Sequence, residues 1–113
     1  MPRVGRISDR SSFILLRRSG RRVRRGPITV TFVTSKSDVG VRVAYGLGRK
    51  VGSAVERNRL RRRLRAVIRE LGPGLVPGAY LVAAGPAAKD MSFKDLRNQL
   101  RQATVEVTKV GTA

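Results

Sequence analysis

The sequence predicts an α+β fold: a small sandwich with a mixed sheet of about four strands and three helices against it. Three observations predict it. Segments with helical and with strand periodicity alternate in the order α-β-β-α-β-α. Each segment carries one apolar face, which a sheet covered by helices buries most simply. The chain has 113 residues, 41% of them hydrophobic, enough for a single domain around a single core.

Residues 1–8 read as a flexible basic arm. A short helix follows from about Asp9 to Arg18, with Ser8 as N-cap and Gly20 at the expected stop. Phe13, Ile14 and Leu16 supply its apolar stripe. Residues 21–26 are a basic connector or edge strand. Ile28–Val33 alternates, with Ile28, Val30 and Phe32 on one face and Thr29, Thr31 and Val33 on the other. Residues 35–40 read as a turn. A second strand runs from Val41 to about Gly48, with Val41, Val43, Tyr45 and Leu47 opposite Arg42, Ala44, Gly46 and Gly48. The two strands are expected to form a hairpin.

The strongest helix runs from about Ala54 to Leu71. Ser53 and Glu56 have capping-box spacing, and Leu60, Leu64, Val67, Ile68 and Leu71 form the buried stripe. Gly72-Pro73-Gly74 stops it. A short apolar strand is expected at Ala79–Ala84, bounded by Pro77-Gly78 and Gly85-Pro86. A last helix is expected from Ser92 to about Val107, with Phe93, Leu96, Leu100, Ala103 and Val107 inward. Residues 108–113 read as a disordered tail, and there is no internal repeat.

Charge narrows the function. Lys and Arg number 25 against 7 Asp and Glu, a net charge of +18. Residues 1–69 hold 20 basic and 3 acidic side chains, whereas residues 70–113 hold 5 and 4. Such a field calls for a polyanionic partner. Arg outnumbers Lys 20 to 5, and the planar guanidinium binds phosphate bidentately and stacks on bases. Cys and His are absent, which excludes disulfides, thiolate metal sites and the commonest general bases and nucleophiles. The seven carboxylates are scattered and suggest no metal cluster. No apolar run approaches the ~20 residues of a membrane span, and the N-terminus lacks the pattern of a signal peptide. The expected compartment is the cytoplasm, with no membrane and no small-molecule substrate.

The charge centres on the segment from Arg57 to Arg69, which holds seven Arg and no acid. At about 100° per residue, Asn58, Arg61, Arg62, Arg65 and Arg69 share the face opposite the apolar stripe. Arg57, Arg59 and Arg63 flank it. Solvated faces usually mix signs, and like charges at i,i+4 cost an isolated helix ~0.2–0.5 kcal/mol per pair. A phosphate backbone relieves that cost, and Asn58 suits a base edge or a 2′-hydroxyl. Gly46-Leu47-Gly48-Arg49-Lys50-Val51-Gly52 resembles a dinucleotide-binding glycine loop only superficially, since no acidic residue follows ~20 positions later. It reads better as a turn that sets Arg49 and Lys50 beside the basic helix. Phe13, near Thr29 and Thr31, reads either as core or as a platform for a single-stranded base.

From Arg49 to Arg62 the chain resembles the bacterial ribonuclease P protein subunit, whose motif there is K-K-x-G-x-A-V-x-R-N-R-x-K-R. Arg49 and Arg61 replace two lysines and keep the charge. Arg6-Ile7, Phe13, Gly20, Arg42–Gly48, Tyr80–Ala84 and Ser92-Phe93 extend the resemblance over most of the chain. It implies a rare left-handed βαβ crossover around the basic helix. It also implies a protein subunit of an endoribonuclease, a ribonucleoprotein that removes the 5′ leader of precursor tRNA. Arg49, Lys50, Arg57, Asn58, Arg59, Arg61, Arg62, Arg65 and Arg69 would contact the catalytic RNA. Phe13, Arg17, Thr29, Thr31 and Arg61 would line a cleft for the single-stranded leader. Hydrolysis would fall to the RNA subunit and Mg²⁺, with no catalytic or metal-binding residue on this chain. Arg17 stands where the family often has a second aromatic, so leader binding would rest more on charge. Arg63 replaces a usually apolar residue, Ala66 a usual Glu and Gly85 a basic one. The competing reading is a ribosomal or other structural RNA-binding protein; a membrane-active helix is disfavoured because the core needs its apolar stripe.

Overall fold

The computed structural model describes residues 4–7, 9–34 and 40–109. Five strands and three helices follow in the order β1 (Val4–Arg6), α1 (Arg10–Ser19), β2 (Arg21–Arg25), β3 (Ile28–Val33), β4 (Val41–Gly46), α2 (Ala54–Leu71), β5 (Gly78–Ala84) and α3 (Phe93–Val107). Short 3-10 turns precede α2, follow it, and precede α3. One mixed sheet has the order β1-β4-β5-β3-β2. Helix α1 covers one face of the sheet, and α2 and α3 cover the other.

The expected hairpin of β3 with β4 does not form. β5 lies between them, antiparallel to β3 and parallel to β4, so α2 is a crossover connection. Gly-Ala-Tyr-Leu-Val-Ala-Ala is apolar on both faces, and such a strand is best placed where both faces and both edges are covered. β3 instead makes its hairpin with β2, closing at the pair Arg25–Ile28. The turn is Gly26-Pro27, with Gly26 at φ +56°, a backbone that glycine adopts without penalty. The basic connector is therefore an edge strand.

The described part of the N-terminal arm forms a strand. β1 pairs in parallel with β4, and Ile7 is buried and donates its N–H to the Val43 carbonyl at 3.3 Å. The sheet thus has five strands rather than about four. Ser8 lies outside the described residues; the observed N-cap of α1 is Asp9. Its Oδ2 accepts from the Ser12 N–H at 2.9 Å and from the Ser12 and Ser11 hydroxyls at 2.6 and 2.8 Å. Those bonds, led by the Ser12 hydroxyl, hold the carboxyl well below the usual range. Of the turn at 35–40 only Gly40 is described, and β4 ends at Gly46 rather than Gly48.

Helix α2 has the predicted bounds, and the box at Ser53 and Glu56 closes in both directions. α3 starts one residue after its Ser92 cap. Phe93, expected inward, is 43% exposed, and Thr104 joins Leu96, Leu100, Ala103 and Val107 in the buried stripe. Within the predicted tail, Thr108 caps α3 and the Lys109 N–H reaches the Glu106 carbonyl; residues 110–113 lie outside the described residues. The main core joins the stripes of α2 and α3 to Ile28, Val30, Phe32, Val43, Tyr80 and Val82. A smaller one joins Leu16 and Ile7 to Ala44 and Ala79 on the other face.

Candidate nucleic-acid interface

The basic helix is fixed before its charge is used. Leu60, Leu64, Val67 and Ile68 are each at most 1% exposed, which sets the rotation of α2. Its start is fixed by the Ser53 hydroxyl accepting the Glu56 N–H at 3.1 Å and by Glu56 Oε1 accepting the Ser53 N–H at 2.9 Å. Gly52, at φ +152°, makes room for this carboxylate, since a Cβ there would collide with it. Glu56 is also paired with Lys89, and these partners, Ser53 first, hold its pKa down.

Asn58, Arg59, Arg62, Arg65 and Arg69 are exposed and Arg61 is half-buried. Arg61 donates to Asn58 Oδ1 at 2.7 Å, which leaves the Asn58 amide nitrogen as the group available outward. Arg49 and Lys50, both exposed, sit on the 3-10 turn before α2, anchored by buried Val51. Two flanking arginines behave otherwise. Arg57 is half-buried, and its Nε is buried without an acceptor among the described residues. Arg63 donates to the Met91 carbonyl at 2.7 Å, which ties α2 to the turn before α3. Among the described residues, none of the seven arginines from Arg57 to Arg69 has a carboxylate partner. The Arg65 guanidinium lies 5.8 Å from the Tyr45 ring centroid, at cation–π range. Burial pushes the Tyr45 phenol up to about 12 despite Arg65 and Arg69 nearby.

The second region lies on the opposite sheet face. Leu16 fastens α1 over Ala44, Ala79, Val33 and Leu81, and at the other end of that face Arg24 and Gly46 are exposed and Thr29 and Ala83 half-buried. There the register aligns Arg24, Thr29, Ala83 and Gly46, a floor of small side chains with an arginine at its rim. Phe13 is 37% exposed, so it is not core; Arg17 follows it one turn later and is exposed. Thr29 is half-buried on the floor. Thr31 is covered, 6% exposed, because the C-cap Gly20 sits directly on it: a Cβ on Gly20 would come within 2.5 Å of the Thr31 methyl.

The structure therefore groups Arg49, Lys50, Asn58, Arg59, Arg61, Arg62, Arg65 and Arg69 along α2 and its leading turn. It places Phe13 and Arg17 on α1 and Thr29 on the sheet face that α1 packs against. Arg61 belongs to the first group, since α2 packs across the sheet from Thr29. Arg22 and Arg24 were not singled out in the sequence. The alternation Arg-Arg-Val-Arg-Arg places them opposite Val23, but only the pairing with β3 shows that they share the face of Thr29 and Thr31.

The family model described as Ribonuclease P matches residues 1–108. The ribonuclease P protein component of Symbiobacterium thermophilum is 36% identical over 103 residues, 90% of each chain. That of Acidothermus cellulolyticus is 38% identical over 99 residues, 85% of this chain and 82% of the relative. In structure, the Staphylococcus aureus RNase P protein superposes with a TM-score of 0.83 at 24% identity, over 96% of this chain and 98% of that one. The Thermotoga maritima RNase P protein gives 0.79 at 22% identity, over 90% and 96%; these two likenesses concern the fold.

Proposed function

The chain belongs to the ribonuclease P protein family, and we propose that it is the RNA-binding subunit of that endoribonuclease and assists removal of the 5′ leader from precursor tRNA. The observation that carries this reading is α2: seven arginines between positions 57 and 69 without a carboxylate partner among the described residues. A folded helix holds that many like charges at a cost, and the catalytic RNA, as a phosphate-dense partner, relieves it. Arg49, Lys50, Asn58, Arg59, Arg61, Arg62, Arg65 and Arg69 make this contact, and Arg57 supports it from the flank.

The leader of the precursor tRNA lies along the open end of the α1 face. Phe13 stacks on one base, Thr29 lines the floor, and Arg17 neutralises phosphate from the helix side. Covered Thr31 shapes the cleft from below through Gly20. Arg61 acts from the α2 side, toward the RNA subunit. The chain carries no His or Cys, and among the described residues no three carboxylates gather to hold a metal ion. In this reading Mg²⁺ is assigned to the RNA, and the protein's part is to bind and orient. No helix among the described residues is long and apolar enough to cross a membrane, and the proposed setting is the cytoplasm.

Reconstitution tests the reading. The purified protein is expected to leave precursor tRNA intact, and mixing it with the ribonuclease P RNA of the same bacterium should lower the Mg²⁺ needed for cleavage. A cleavage rate unchanged by the protein across a Mg²⁺ titration would refute it.

A further inference from the structure

The groove between β1 and the C-terminal half of α2 is not explained by an evenly charged helix face. It encloses about 660 Å³, and its lining includes Arg6, Val43, Tyr45, Arg65, Ile68 and Arg69. That volume falls within the range of sites that hold small organic molecules, ~300–1,000 Å³. Its construction follows from the sheet register. Arg6 pairs with Val43 in parallel, so its side chain rises on the α2 side of the sheet, facing Arg65 and Arg69 across the groove. Val43 and Ile68, each 1% exposed, make a firm apolar floor, and the Tyr45 ring adds a flat wall.

Charge separates this groove from two other concavities. The one beside α3 contains Arg25 and Glu106, which pair with each other. The one beside the N-terminal half of α2 contains Glu56 and Asp90 with Arg59, Arg63 and Lys89. Among the described residues, the β1–α2 groove presents three guanidiniums and no carboxylate. Its ligand must therefore be anionic, and the apolar floor and aromatic wall call for a flat group attached to that anion.

We propose that this groove receives one unpaired ribonucleotide of the RNA partner, its base against Tyr45 over Val43 and Ile68 and its phosphate among Arg6, Arg65 and Arg69. The inference rests on the RNA-binding reading above and adds to it. α2 does not only neutralise backbone phosphate; its C-terminal half selects a position where the strand is unpaired, because a base stacked within a duplex cannot offer its face to Tyr45.

Binding of octauridylate and of an eight-base-pair RNA duplex at one salt concentration tests this, with full-length protein carrying Phe13→Ala so that the α1 cleft does not mask the result. The chain has two tyrosines, which makes the Tyr45 ring signals simple to assign by NMR. Octauridylate should shift the Tyr45 ring and Ile68 methyl resonances, and the duplex should leave them in place. Tyr45→Leu should weaken octauridylate about ten-fold, the lower part of the range for one base–aromatic stack, and change duplex affinity less than two-fold. Tyr45→Phe keeps the ring and should bind as the parent does. Arg62→Ala, outside the groove, should weaken both RNAs. If Arg62→Ala weakens both while Tyr45→Leu weakens neither, the groove is not a nucleotide site and the RNA-binding reading stands. If Arg62→Ala changes neither, that reading falls as well, and the inference with it.

Discussion

Helices α2 and α3 lie side by side on the same face of the sheet, and locally they are built alike. Each starts at a serine whose hydroxyl accepts the N–H three residues on. Each buries a leucine-centred stripe in the same core. Their outer faces differ. On α3, Arg97 is paired with Glu70 at 2.7 Å and Glu106 with Arg25. On α2, the arginines from 57 to 69 have no such partner among the described residues. The rules that make a helix fold, a cap and a stripe, are thus indifferent to function here. In the proposed reading, function is recorded in the charge the fold leaves uncompensated.

The largest test attacks the shared part. Leu64 and Leu100 are both fully buried, and truncation of such a leucine to alanine costs about 2–5 kcal/mol. Leu64→Ala and Leu100→Ala should therefore destabilise to a similar extent in urea unfolding. A much smaller loss for Leu64→Ala would mean that α2 is held by its charge pattern rather than by its stripe.

The next test attacks the difference. Affinity for duplex RNA should fall steeply with salt, with a slope of up to about 0.9 in log K per phosphate contact, the B-form duplex value. Arg61→Ala with Arg62→Ala should flatten the slope by up to ~1.8. Arg97→Ala with Arg101→Ala on α3 should leave it unchanged, although it removes the same formal charge. Equal flattening by both pairs would show that net charge, not the α2 face, governs binding.

Much of this contrast was legible in the sequence, because helical periodicity and caps are local. The bounds of α2, its box and its outward arginines follow from spacing alone. The sheet was less legible. Whether β3 pairs with β4 or with β5 depends on long-range competition for the central position, which strand alternation does not encode. The pairing of β1 is likewise hidden in three residues of a basic segment. For the same reason Thr31 read as an open site residue: nothing in its own segment says that Gly20 will rest on it. Arg63 read only as flanking the apolar stripe, yet its partner is a backbone carbonyl 28 residues away.

A smaller effect should come from the caps themselves. Replacing an N-cap serine by alanine costs about 0.5–2 kcal/mol. Ser53→Ala breaks a reciprocal pair, and Ser92→Ala removes a single bond to the Asp95 N–H at 3.1 Å. The loss measured by thermal unfolding should be larger for Ser53→Ala. Equal losses would mean that the return bond from Glu56 adds nothing to the cap.

The mildest test is pH. Glu56 is held below the usual carboxylate value by the Ser53 N–H first and by Lys89 next. A carboxyl whose pKa is lower in the folded state stabilises that state above its unfolded value, near 4.3, and the contribution fades as pH falls through that value and below. Glu56→Gln can still accept the Ser53 N–H but carries no charge, so its stability should change less between pH 6 and pH 3 than that of the parent. Asp9, whose pKa is lowered in the same direction by Ser12 and Ser11, remains in both proteins and supplies a common background. The difference between the two curves therefore isolates the α2 cap. It should close as the pH drops, because the parent's carboxyl becomes protonated and neutral like the amide. Parallel curves at all pH values would mean that the charge of Glu56, as distinct from its hydrogen bond, contributes nothing at the start of the arginine helix.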